Sequence, residues 1–192
     1  VNRGLFFYLM PLLLIIASLL QSTVTNRLLV RGVKPDLVLL LVMIGTLIYG
    51  GRSGMLWAFI GGIGLDLFSG GPLGSSSLAL MATAVVVGVG HRTLSRYNVL
   101  VPLSSAMLGT LVYGVVYLAI WIVLEGLTNW AASQGIALDI VRPDLSAPLW
   151  PTLFWPTVQD IVIPAIFYNT ALMLLLIPVL NRVPEHQDLV NN

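Results

Sequence analysis

The sequence predicts an all-α integral membrane protein, a single bundle of six transmembrane helices. Composition is the first reason. Of 192 residues, 57% are hydrophobic and only 9% are charged, whereas a soluble domain carries about 25% charged residues. Such a chain cannot cover a water-facing surface. Spacing is the second reason: the apolar residues fall into runs near the ~20 residues that a span needs, divided by connections bearing Gly, Pro and Arg. A net charge of +1 leaves no electrostatic footprint for nucleic acid. The chain has no cysteine, which excludes disulfides and thiolate chemistry. His91 and His186 stand far apart beside helix ends, so neither a metal centre nor a cofactor is expected.

The helices are expected at about 5–25, 36–50, 53–69, 74–91, 101–125 and 160–181, in one domain over 1–184 with a polar tail at 185–192. The first carries Pro11 and turns polar at Gln21-Ser-Thr-Val-Thr-Asn26 while still in phase. Arg3 before Leu5–Leu20 resembles the start of a secretory signal. The exit lacks a small-x-small cleavage site, so a retained helix is expected. Arg27, Arg31 and Lys34 form the strongest basic cluster, followed by Pro35 and Asp36. Proline suits a first helical turn, and an acid suits its positive end. Gly50-Gly-Arg-Ser-Gly54 reads as a tight turn between two short helices, with a re-entrant hairpin as the alternative. The fourth helix ends at His91, Arg92 and Arg96, and the fifth opens near Pro102. From Glu125 to Gln159 come Trp130, Trp150, Trp155 and four prolines. Tryptophan at this density marks a membrane interface, and a short interfacial helix is expected near 127–136. Pro164 is expected to bend the last helix, and Pro178 and Pro184 to stop it.

The rest of the chain reads as organised around Gly54–Gly74. Gly54, Ala58, Gly62 and Asp66 are each four apart and form one helical stripe, with Gly61 beside it. Small residues there allow another backbone close, either within the bundle or from a partner. An acid at such depth needs a reason. Counting helices puts Lys34-Pro35-Asp36 and the turn Ser69-Gly70-Gly71-Pro72-Leu73-Gly74 on the same face. Three readings of Asp66 stay open: it caps its own turn through the amides of Gly70 and Gly71, it pairs with Lys34 or Arg31, or it couples to an ion. Gln21 shares a face with Ser18 and could bond to a neighbouring helix. Ser75, Ser76 and Ser77 have no neighbouring base, and no basic residue sits at mid-depth in a span, so catalysis, a channel and a charge-driven pump find little support.

Taken together, Gln21, Val33-Lys-Pro-Asp-Leu-Val-Leu-Leu-Leu-Val42 and Gly64-Leu-Asp-Leu-Phe-Ser-Gly-Gly-Pro-Leu-Gly74 resemble the MreD family of bacterial rod shape-determining membrane proteins. The resemblance is most specific over 21–80, and the long loop at 125–159 is larger than the family leads one to expect. It implies a non-enzymatic scaffold in the cytoplasmic membrane that binds MreC. Through MreC it would be linked to MreB, RodA and the elongation-specific penicillin-binding protein, with membrane lipids around it. It also implies a fold similar to the substrate-binding S components of vitamin transporters, with both termini cytoplasmic. Charge alone does not orient the chain, since five Lys and Arg residues fall on one side and four on the other. The S-component likeness supplies the alternative function, capture of a small vitamin, and a membrane enzyme acting on lipid-linked substrates is the third.

Overall fold

A computed structural model describes residues 3–23, 35–93, 99–136 and 154–180. Lys34 and the rest of the basic cluster, the segment 137–153 and the tail lie outside the described residues. All regular structure among the described residues is helical. The six helices are α1 (Arg3–Thr23), α2 (Leu37–Tyr49), α3 (Gly51–Ser69), α4 (Ser75–Thr93), α5 (Leu100–Ser133) and α6. The last is composite: a turn Phe154–Thr157, a π-helical turn Val158–Val162 and the helix Ile163–Leu180.

The buried axis is α2. Ten of its thirteen residues are buried, including everything from Val42 to Ile48. A helix that is apolar all round needs neighbours all round, and α2 packs on α1, α3, α4, α5 and α6. The sequence points to the glycine-rich helix as the organiser, whereas the structure centres the bundle on α2, with α3 as its closest-packed neighbour. Small residues give α3 that role on three sides. A Cβ at Gly61 would lie 2.9 Å from Val38 of α2 and 3.3 Å from Leu14 of α1. One at Gly64 would meet the Ser18 hydroxyl of α1 at 2.9 Å. One at Gly62 would overlap the backbone of Ser77 in α4.

Several boundaries differ from expectation. The 50–54 turn contracts to Gly50 alone, whose φ of +86° turns the chain in one residue. The next glycine starts α3 at once, because Gly51 packs backbone-to-backbone on Gly88 of α4, where a Cβ would come within 2.7 Å of the Gly51 Cα. The expected interfacial helix is the continuation of α5, which runs unbroken through Glu125 and Gly126 to Ser133. At 1.5 Å per residue its 34 residues rise about 51 Å, well beyond ~30 Å of hydrocarbon. At Pro164 the α6 helix is preceded by a wide turn. The proline ring would clash with the Asp160 carbonyl in a regular helix. The π turn shifts the register just before it, with the Ile163 N–H reaching back five residues to the Val158 carbonyl. Pro178, expected to stop α6, lies inside it.

Among the described residues, two helices are long and apolar enough to cross a membrane, 100–133 and 154–178, and shorter apolar helices cover 7–23, 37–49 and 75–89. The outer faces of the bundle carry large exposed apolar side chains, among them Tyr8, Leu56, Val89, Phe167 and Leu175. Water is a poor solvent for such a surface, and lipid is a good one.

Candidate functional site

Helix direction places the end of α1, the start of α2 and the α3–α4 turn at one end of the bundle, and hydrogen bonds tie Asn169 of α6 and Thr110 of α5 to them. At that level a belt of polar side chains draws on all six helices. It begins at the N-terminus of α2, whose first amides have no partner inside the helix. Asp36 caps it, its Oδ1 accepting from the Leu39 N–H at 2.9 Å. Gln21 of α1 completes the cap from outside. Its Nε2 donates to Asp36 Oδ1 at 3.2 Å, and its Oε1 accepts from the Val38 N–H at 3.2 Å. Asn169 of α6 then ties in two more elements: its Oδ1 accepts from the Asp36 N–H at 3.2 Å, and its Nδ2 donates to Thr110 Oγ1 of α5 at 3.3 Å.

The other half of the belt is built on α4, which begins after Gly74. Glycine has no side chain to cap with, so the cap comes from α3. Asp66 Oδ2 accepts from the Gly74 N–H at 2.7 Å, and Oδ1 accepts from the Ser76 N–H at 3.2 Å. A carboxylate at the positive end of a helix is stabilised there, which explains a buried acid in an apolar helix. The Ser75 hydroxyl donates to the Pro72 carbonyl at 2.7 Å. The turn itself needs two glycines in the left-handed region, Gly70 at φ +70° and Gly74 at φ +94°. Gly70 ends α3 as such residues commonly end helices. Tyr113 of α5 joins the halves, since it lines the same cavity as Asp36 and its side chain hydrogen-bonds Ser76 of α4.

These contacts sort the residues singled out in the sequence. Asp66 anchors the turn, but on the amides of Gly74 and Ser76 rather than those of Gly70 and Gly71. Pro35 is buried, and Pro72 serves as an acceptor in the turn. Gln21 and Asp36, fifteen positions apart, are brought together. Gly54, Ala58, Gly61, Gly62 and Asp66 are all buried, but not on one neighbour. An i, i+4 row winds around its helix, so Gly54 meets Thr46 of α2 while Gly62 meets Ser77 of α4. A partner reaching this row would have to displace a helix of the bundle.

Sequence reasoning passed over Asn169, Thr110 and Tyr113. The available signal was Asn169, a lone amide in the apolar run after Pro164, where a side-chain hydrogen bond to another helix is the usual explanation. Replacing Asn169 with alanine is expected to cost about 1–2 kcal/mol, since two cross-helix bonds at ~0.6 kcal/mol or more are lost. The midpoint of heat survival in detergent, followed by size-exclusion chromatography, should fall by a few degrees, while Asn169→Gln should recover part of the loss.

The family profile described as rod shape-determining protein MreD matches residues 2–159. This chain belongs to the MreD family. The match covers α1 through α5, and with them every belt residue except Asn169. Membership assigns the chain to rod shape determination, within a family of structural proteins of the bacterial membrane. No curated protein and no solved structure matches the chain. In MreD terms, Pro35–Val42 is the capped start of α2, and Gly64–Gly74 is the α3 end that caps α4.

Proposed function

We propose that this MreD-family chain is a multi-pass scaffold of the cell-elongation complex. It binds MreC directly and, through it, is linked to MreB, RodA and the elongation-specific penicillin-binding protein. Both termini face the cytoplasm, and the polar belt faces outward. The observation that carries the reading is the family match over 2–159. The belt fits it, because a scaffold must present its turns in a fixed arrangement. Here the starts of α2 and α4 are each held by a side chain from a different helix. The outward turns then orient the membrane-proximal segment of MreC.

The test is co-purification from membranes of cells depleted of the native protein and supplied with a tagged full-length chain. MreC is expected to co-purify, and depletion without the supply is expected to turn rods into spheres. If rod shape is restored while MreC stays behind at every expression level, direct binding to MreC is wrong. A cysteine-free background allows single cysteines along α1, α3 and α6 to map the contact by crosslinking.

A further inference from the structure

Above the belt lies a cavity of about 400 Å³ that neither the family assignment nor the scaffold reading explains. Its floor is Asp36, Thr110 and Asn169, and its walls include Leu39, Gly114, Tyr117, Leu118, Ile161, Val162 and Ala165. Three features make it a formed site. The floor is rigid, because Asn169 and Gln21 are fixed by bonds at both ends. The aromatic wall is ordered: Tyr113 and Tyr117 stack with ring centroids 5.9 Å apart at 24°. The facing wall is shaped by the π turn, which contributes Ile161 and Val162 and is locked to α5 where Val162 fills the space over Gly114. Irregular helical turns of this kind are frequent at functional sites.

The lining also defines what fits. Among the described residues it contains no Lys, Arg or His, and its one charged group is the Asp36 carboxylate. Both hydrogen bonds to that carboxylate fall on Oδ1, and Oδ2 accepts none among the described residues. A ligand with an anionic head would meet a like charge in an apolar enclosure, which is costly. One with an O–H or N–H at its end would supply the missing donor while its body covers the apolar walls. We infer that the cavity is a binding site for a compact non-anionic amphiphile, with a hydroxyl or ammonium end on Asp36 and an apolar body against α5 and α6. The inference stands apart from the scaffold reading.

The full chain in lipid nanodiscs, titrated with octylamine, octan-1-ol and sodium octanoate and read by native mass spectrometry, tests it. Octylamine and octanol are each expected to give one adduct, with octanoate at least tenfold weaker. Ala165→Phe fills the cavity and should abolish both adducts. Leu118→Trp serves if that variant fails to elute as folded protein. Asp36→Asn keeps an equally good helix cap, so it should retain octanol and weaken octylamine at least tenfold. Hexylamine, taken from water, and dodecylamine, taken from the leaflet, separate the two sources of such a ligand, and one-to-one binding of either supports the site. Equal binding of octanoate, adducts that survive cavity filling, or no adduct with any probe would overturn it.

Discussion

Gly62→Leu is expected to abolish the folded protein, with Gly62→Ala already strongly destabilising. A side chain at this position has no direction to go. The added Cβ falls on the Cα and amide nitrogen of Ser77, backbone atoms of α4 that cannot rotate away as a side chain would. The only relief is to push α4 off α3. That movement would break the Ser77 hydroxyl bond to the Phe59 carbonyl and pull the Ser76 amide from Asp66. Overpacking a filled core costs about 1–3 kcal/mol, occasionally more. Two hydrogen bonds at about 1 kcal/mol each come on top. Gly126→Ala is the control, since its Cβ would enter open space and alanine gains about 0.8–1 kcal/mol of helix propensity over glycine. The measurement is the monomer fraction in fluorescence-detected size-exclusion chromatography after a heat step. Gly62→Leu should give aggregate at every temperature, and Gly126→Ala should match or exceed the parent. An unchanged profile for Gly62→Leu would show that the α3–α4 approach is not close.

The sequence made the helices legible because an apolar run bounded by glycine or proline can be little else in a chain this short of charge. It could not show which helix is central. Leu37–Tyr49 is merely a short apolar run until its neighbours are in place, and its burial on all sides is a property of the assembly. The end of α5 departs from expectation for a related reason. Glu125-Gly126 has the composition of a helix end, yet a single interior glycine costs only about 1 kcal/mol, and no proline follows until Pro143. Residues that carry the belt were partly visible. Asp36 after Pro35 is a cap on local grounds alone, whereas Gln21, Asn169 and Tyr113 acquire partners only through contacts of 15 or more positions. The stripe on α3 was correctly seen as small, but its slant around the helix divides it between two neighbours.

Asp66 is the residue whose replacement distinguishes a polar anchor from a charged one. Had it capped its own turn through one oxygen, asparagine would serve nearly as well. The structure predicts otherwise. Both carboxylate oxygens are acceptors, Oδ2 toward Gly74 and Oδ1 toward Ser76. An amide offers one oxygen, which would take the shorter bond to Gly74, and its NH₂ would then face the Ser76 N–H donor to donor. Asp66→Asn is therefore expected to cost about 1–3 kcal/mol, the range for leaving one buried donor unsatisfied. Asp66→Ala leaves two, at the positive end of α4, and should cost roughly twice that. The loss should be local first. Gly70 and Gly74 hold the turn in the left-handed region, and without the carboxylate no α3 side chain caps the first amides of α4. Hydrogen exchange measured by mass spectrometry should rise first in peptides spanning 70–78, before any change in α2. Exchange that rises equally across α2 and α4, or an asparagine variant as protected as the parent, would show that the two oxygens do not act as the cap of α4.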